Sequence, residues 1–123
     1  MTGNQQRAGR RAAGAWIVVT LALSAAYLGI GLQARPPRRL DAVPDVASHL
    51  GGYGVLAFAA TQAAAGLAWA PGCGVGWAVA HGGLLELLQG RTATRRAEWS
   101  DLAADAVGAA LGAAAAARRR ATS

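Results

Sequence analysis

Polar side chains, most of them able to carry charge, occur at three places where this chain is otherwise apolar. They form the pairs Asp45 and His49, Glu86 and Gln89, and Asp101 and Asp105. A carboxylate beside an imidazole can exchange a proton, attract a cation or hydrogen-bond a polar group. Because an ionised side chain in hydrocarbon costs on the order of 3 kcal/mol, such residues are expected to face partners, water or a ligand.

The spacing of these residues places them on three helix faces. Steps of three and four residues keep one face of a helix aligned. Such steps give three stripes: Asp45, His49, Gly52 and Leu56; Gly82, Glu86 and Gln89; and Asp101, Asp105, Gly108 and Gly112. We predict that the stripes point at one another, with the four glycines letting helix backbones approach closely. The carboxylates, His49 and nearby Arg95 could then satisfy one another's hydrogen bonds.

The composition indicates which elements hold these faces in place. Hydrophobic residues make up 54% of the chain and charged residues only 15%, which is too little charged surface for a water-soluble domain of this size. The apolar residues come in long blocks, as bilayer crossings require. We therefore predict an all-α, polytopic membrane protein, a single domain whose four transmembrane helices form a compact bundle. The predicted spans are at about 12–32, 46–70, 74–88 and 101–117.

Two details of the spans depend on local sequence. The nearly uncharged stretch 46–88 is too long for one crossing, and the Pro-Gly-Cys-Gly sequence at 71–74 is predicted to turn the chain back between Trp69 and Trp77. The first block has a competing interpretation as a cleavable signal peptide, since the small residues at 24–26 resemble a cleavage site. Apolar sequence continues beyond them, which favours a membrane span.

The positive charges bear on orientation. All 12 are arginines, in four clusters that flank the apolar blocks, and we interpret them as membrane-interface anchors rather than a nucleic-acid surface. Six lie on the side of the termini and six in the opposite loops, so the positive-inside rule gives a tie. Because the first span usually dominates, we predict that both termini are cytoplasmic. The polar pairs then all lie at the opposite face.

The common catalytic and cofactor motifs do not occur in the sequence. There is no His-Glu-x-x-His helix, no Gly-x-Ser-x-Gly elbow and no glycine-rich phosphate loop. A metal site could be assembled only from one histidine and three carboxylates, which select poorly among metals: His49, Asp45, Glu86 and Asp101. We therefore predict no metal and no cofactor. The lone Cys73 excludes an intramolecular disulfide.

Purely structural roles are open for several of these residues. Asp45 and Asp101 could simply cap helices, and Glu86 could form a local hydrogen bond. Arg95 could be an ordinary loop charge. Tyr53 could fill the core with its hydroxyl satisfied. We interpret His81, which lies outside the stripes, as a packing residue or one that forms hydrogen bonds between helices.

Two longer motifs resemble a known family. The run Glu86-x2-Gln89-x5-Arg95-x5-Asp101-x3-Asp105-x2-Gly108-x3-Gly112 resembles the C-terminal motif of the VanZ-like membrane proteins, and Asp45-x3-His49-x3-Tyr53-x2-Leu56 resembles the N-terminal motif. The family usually has Asn at the position of Asp105 and Lys at that of Val46. The motifs add Tyr53 and Arg95 to the candidate site, which already contains the six residues of the three pairs above.

The resemblance implies an envelope-associated membrane protein. The family is named after an accessory protein of glycopeptide resistance that lowers susceptibility to teicoplanin. We therefore expect a non-enzymatic accessory or binding protein that acts, at one leaflet, on membrane lipids, a lipid-linked envelope precursor or a lipoglycopeptide. The alternative is an intramembrane acid-base enzyme that uses His49, Glu86 and Asp101. A proton-coupled transporter would need polar residues that continue toward the other face, and the spans are expected to contain none.

Overall fold

The described part of the chain folds into four α-helices. The computed structural model describes residues 3–33, 45–90 and 99–122, apart from the side chains of Asp45 and Ser100. Within these ranges the helices are α1 (Gly3–Gly31), α2 (Asp45–Ala63), α3 (Ala70–Gln89) and α4 (Trp99–Ala121), and the ranges contain no strand. The prediction of an all-α protein with four helices is confirmed.

The helices run alternately up and down around α2. Among the described residues α2 contacts all three other helices, and its contact with α4 is the most extensive. Helix α1 packs on α2, touches α3 at a few points and does not contact α4. The end of α1, the start of α2, the end of α3 and the start of α4 meet at one end of the bundle, hereafter the polar end, where His49 faces Asp101 and Gln89 bonds to Gly31.

Glycines set the close approach of α2 to α4. A Cβ atom placed on Gly112 would collide with the backbone carbonyl of Gly54, and one placed on Gly108 would collide with the carbonyl of Leu50. A Cβ on Gly54 would lie 3.2 Å from the carbonyl oxygen of Gly108. This small-residue seam explains why an alanine-rich helix such as α4 packs so extensively.

Helix α1 is long and loosely attached. It has 29 residues, about 43 Å at ~1.5 Å per residue, and it begins at Gly3 rather than near residue 12 as predicted for the first span. Its buried residues are the two hydroxyl-bearing side chains Thr20 and Ser24. Its first aromatic contact is the edge-on packing of Trp16 against Phe58, with ring centroids 5.8 Å apart. Residues 3–12, which precede this contact, are exposed.

The interior of the bundle consists mostly of alanine and polar side chains, with Tyr53, Leu56 and Leu85 as its large apolar residues, whereas many other large apolar side chains face outward. The buried hydrophobic residues are mostly alanines, and the buried polar residues are Thr20, Ser24, Thr61, Gln62, His81, Gln89 and Asp105. Exposed leucine, isoleucine, valine or tryptophan side chains occur on every helix, including Ile17, Val18, Val55, Leu84, Leu87, Trp99, Val107 and Leu111. A protein that folds in water shows the reverse distribution, because burying large apolar surface is its main source of stability.

One described helix, α1, is long and apolar enough to cross a membrane by length and composition alone. That observation is weak by itself, because a signal sequence near the N-terminus and a buried core helix meet the same criteria. The prediction that all four helices span a membrane stays a prediction.

The turn between α2 and α3 lies earlier than predicted. Helix α2 ends at Ala63 and α3 begins at Ala70, so the Pro-Gly-Cys-Gly sequence forms the first turn of α3 and the prediction of a turn there is wrong. Pro71 occupies the start of α3, where its missing N–H would have no intrahelical partner in any case. The chain turns instead through residues 64–69, with a hydrogen bond from the Leu67 N–H to the Ala64 carbonyl at 2.9 Å.

Candidate functional site

His49 lies between two carboxylates at the polar end. Its Nδ1 atom is 2.8 Å from Oδ1 of Asp105, and its Nε2 atom is 3.8 Å from Oδ2 of Asp101. Because an ionised carboxylate only accepts hydrogen bonds, Nδ1 carries the proton in the contact with Asp105. A protonated His49 would face a negative charge on each side. The predicted meeting of the His49 and Asp101 faces is present in the structure.

Asp105 is the most deeply buried acid of this cluster. It is 1% exposed, whereas the side chains of His49 and Asp101 are 21% and 15% exposed. Its Oδ2 atom is buried without a hydrogen-bond partner among the described residues and packs against Gly82, where an added Cβ would be 2.6 Å away. Because Gly82 has no side chain, the Asp105 carboxylate fits against α3. The predicted contact among α2, α3 and α4 is present at this point.

Tyr53 connects His49 to a second histidine. Its ring stacks on the His49 ring with centroids 6.1 Å apart, and its hydroxyl is 3.2 Å from Nδ1 of His81. Nε2 of His81 is 2.9 Å from the backbone carbonyl of Ser24. Since a carbonyl can only accept, Nε2 carries the proton, and Nδ1 of a neutral His81 accepts a hydrogen bond from Tyr53. His81 thus forms the interhelical hydrogen bonds that its sequence position suggests.

Polar contacts also attach α1 to α3. The indole N–H of Trp77 donates to the Ser24 hydroxyl at 3.0 Å, and that hydroxyl donates to the Thr20 carbonyl at 2.8 Å. At the polar end the Gln89 side-chain amide donates to the Gly31 carbonyl at 2.7 Å. The structure therefore places Gln89 at the contact between α1 and α3, although the sequence grouped it with Glu86.

Glu86 lies one helical turn from Gly82 on the same face of α3. Its Oε2 atom is buried, and its carboxylate, like that of Asp105, is near enough to the Tyr53 hydroxyl to interact with it electrostatically. Asp45 begins α2, but its side chain is not described. Arg95 lies outside the described residues, so its predicted pairing with the carboxylates stays a prediction.

The two described grooves lie apart from these polar residues. One, of about 260 Å³, is formed by α1, α2 and α3 and is lined by Ile17, Thr20, Leu21, Ala60, Ala63, Ala64, Cys73 and Trp77. The other, of about 290 Å³, follows the seam between α2 and α4. Both are mainly apolar, and neither is lined by a member of the His49 cluster. No group of three or more possible metal ligands occurs in the part of the chain that the structure describes.

Polar residues continue further into the bundle than expected. His81, Ser24, Thr20, Thr61 and Gln62 are all buried and lead away from the polar end along α1, α2 and α3. The expectation that the spans contain no such continuation is wrong. These residues do not by themselves form a proton path, however, because the bonds from Tyr53 through His81 end on the Ser24 carbonyl, which cannot pass a proton on.

Sequence reasoning missed two features of this region. Gly52 was predicted to pack against the other stripes, but a Cβ atom placed on it would lie 3.7 Å from the Tyr27 ring of α1. Gly54, not Gly52, forms the seam with α4. Ser24, which receives bonds from both Trp77 and His81, was considered only as part of a cleavage site. Its spacing of four residues from Thr20, inside an apolar block, was the available signal, because buried hydroxyls in membrane helices bond to the preceding turn.

Comparison with known proteins identifies no relative of this chain. No family model, curated protein or solved structure matches it. What the protein does must therefore be inferred from the geometry and charge of the described residues and from the spacing of the two motifs.

Proposed function

We propose that the chain is a multi-pass protein of the bacterial cytoplasmic membrane, similar to VanZ-like proteins, that binds an amphiphilic or lipid-linked envelope ligand at one leaflet. One observation carries the proposal: a bundle with many exposed apolar side chains holds its described acidic side chains, Glu86, Asp101 and Asp105, together with His49 toward a single end. Lipid is the solvent that suits exposed leucine and valine beside buried histidine and aspartate. Antibiotic susceptibility, above all to teicoplanin, is the phenotype that the motif resemblance suggests.

Helix lengths support the membrane part of the proposal. Helices α2, α3 and α4 have 19, 20 and 23 residues, about 29 to 35 Å at ~1.5 Å per residue, against a hydrocarbon core of about 30 Å. Several of their polar side chains, including Thr61, His81 and Asp105, are turned into the bundle. Exposed apolar patches of this extent mark a membrane or protein contact rather than a water-facing surface.

The geometry of the cluster favours binding over chemistry. His49 and Asp101 are partly exposed at the end of the bundle, so a headgroup can reach them, whereas Asp105 is enclosed and serves to hold His49 in place. A second candidate function, intramembrane acid-base catalysis, is favoured by the same imidazole lying between two carboxylates. Catalysis requires charge on Glu86 and Asp101, whereas binding requires only their capacity to form hydrogen bonds.

The membrane location can be tested by fractionation. The full chain, expressed in a bacterium, should stay in the membrane pellet after alkaline carbonate and leave it only in detergent. Release by carbonate would contradict the proposal. A version lacking α1 tests the other three helices, because membrane retention of α2 to α4 is expected if they span the bilayer.

A double-mutant cycle tests whether Glu86 and Asp101 belong to one site. Its variants are Glu86→Gln, Asp101→Asn and the double change. The readout is the teicoplanin concentration that stops growth, with membrane protein levels equalised, and Gln33→Ala at the same end serves as control. Members of one site are interdependent, so each single change should abolish protection and the double change should be no worse. Strictly additive losses would contradict a shared site.

The same cycle separates binding from catalysis. Glu86→Gln keeps the shape and hydrogen-bonding capacity of the side chain and removes its charge. Full protection by this variant would weigh against acid-base catalysis by Glu86. Lipid analysis of a deletion strain beside its complemented parent adds an independent readout, because an enzyme leaves an accumulating substrate and a binding protein does not.

A further inference from the structure

The described arginines all lie at the end of the bundle opposite the polar end. They are Arg7, Arg10 and Arg11 near the start of α1 and Arg118, Arg119 and Arg120 at the end of α4. Helix α1 contains no acid, and the acids of α4, Asp101 and Asp105, are at its other end. This arginine end therefore carries positive charge without acidic side chains on either of the two helices that form it.

The start of α1 is an arm rather than part of the bundle. Residues 3–12 are exposed, and Cβ atoms placed on Gly3, Gly9 and Gly14 would have no neighbour within 4 Å. Arg7, Arg10 and Arg11 are spaced by three and four residues, so the three guanidinium groups extend from one face of the helix. Nothing in the described bundle packs on that face.

The charges of the arm are unfavourable for the helix that carries them. Like charges at such spacing repel each other, and positive charge near a helix N-terminus opposes the helix dipole. No acid occurs in the first turn of α1 to offset this effect. The three arginines of α4 are in its last turn, where the dipole favours positive charge. An anion bound along the α1 arm would relieve the repulsion in α1 specifically.

The surface directly below the arm identifies the chemistry of that anion. Ile17, Val18, Val19 and Leu21 follow the arginines on α1 and are exposed. A surface that is cationic for one segment and apolar for the next matches the boundary between phospholipid headgroups and acyl chains. A nucleic acid would neutralise the arginines but would leave the apolar segment in water. Guanidinium groups also bind phosphate with paired hydrogen bonds.

We infer that the arginine end, and the arm of α1 above all, binds anionic phospholipid headgroups, and that this binding stabilises residues 3–13 as a helix. The inference rests on the proposed membrane location and adds to it a preferred lipid class. The arm then lies at the headgroup level of one leaflet, while the candidate ligand site lies at the other.

The test uses the full chain in lipid nanodiscs of phosphatidylcholine, with or without phosphatidylglycerol. A spin label is attached at Gly9→Cys in a Cys73→Ser background. We expect the label to be less mobile in the anionic discs than in the neutral discs, and high salt should remove this difference. Changing Arg7, Arg10 and Arg11 to glutamine should abolish the difference in label mobility between the two kinds of disc. The affinity for anionic lipid at low salt should fall about fivefold for each arginine that is replaced. Neutralising Arg118, Arg119 and Arg120 is the matched control and should leave the response of the label intact.

The outcomes distinguish the two proposals. Failure to enter discs of either composition would overturn the membrane location and this inference with it. Entry into both kinds of disc with identical label mobility would overturn the lipid preference alone. Immobilisation by duplex DNA in neutral discs, at the phosphate concentration at which phosphatidylglycerol acts, would assign the arm to polyanions in general and also overturn it.

Discussion

At the scale of single residues, His49 and Asp105 form the contact on which the polar end depends. Removing the acceptor of a largely buried hydrogen-bond donor leaves that donor unsatisfied, which typically costs about 1 to 3 kcal/mol. Exposed pairs contribute about 1 kcal/mol or less. The two carboxylates around His49 differ in burial, so the structure predicts unequal effects.

We expect Asp105→Leu to destabilise the fold by about 1 to 3 kcal/mol, because it leaves the Nδ1 proton of His49 without an acceptor. Asp105→Asn keeps an acceptor at Oδ1 and should change stability by about 1 kcal/mol or less. Asp101→Asn is the control and should have a similarly small effect. The measurement is thermal unfolding in one detergent, followed through the tryptophan fluorescence. Equal losses for Leu and Asn at position 105 would contradict the proposed hydrogen bond.

The sequence was more successful at predicting which residues meet at the polar end than at predicting the hydrogen-bond partner of each residue. Spacing alone puts Asp101 and Asp105 on one face of α4, and it puts His49 on the face of α2 that begins at Asp45. The prediction that these faces meet came from the cost of leaving polar side chains in lipid. The partners of His81 were not, because its ring bonds to a tyrosine 28 positions away and to a backbone carbonyl 57 positions away. Periodicity states which face a side chain occupies, not which helix lies opposite.

At the scale of the helices, the seam between α2 and α4 predicts a contrast between two glycines. Gly112→Ala puts a methyl group against the Gly54 carbonyl and should cost about 1 to 3 kcal/mol through forced separation of the backbones. Gly51→Ala on the outside of α2 has no neighbour within 4 Å and should stabilise the helix by about 0.5 to 1 kcal/mol. Thermal unfolding in detergent compares them directly, and a stabilising Gly112→Ala would rule out the close seam.

Small residues on α4 were recognisable from the sequence, but their partner on α2 was not. Helix α2 contains Gly51, Gly52 and Gly54, and the stripe that begins at Asp45 selects Gly52. Two positions along a helix correspond to about 200°, so Gly52 and Gly54 face nearly opposite directions. Because α2 is central and contacts three helices, apolar and small residues surround it, and periodicity cannot choose among its faces.

At the scale of the whole molecule, the orientation in the proposed membrane can be tested by thiol labelling. Cys73 is a poor reporter because it is half-buried in the first turn of α3. Gly66→Cys and Gln33→Cys, each in a Cys73→Ser background, lie at opposite ends of the bundle and are exposed. With both termini cytoplasmic, an impermeant maleimide should label position 33 in intact spheroplasts and position 66 only after lysis. The reverse pattern would put the polar end in the cytoplasm.

The α2–α4 seam also bears on how the chain is made. Synthesis proceeds from the N-terminus, so α2 leaves the ribosome well before α4. In that interval His49 is without Asp105, and the groove beside Gly54 is open to any helix that fits it. Within the proposed membrane, an insertion factor that shields this groove until α4 arrives would decide whether the nascent chain closes on itself or is captured by a competing helix from another protein.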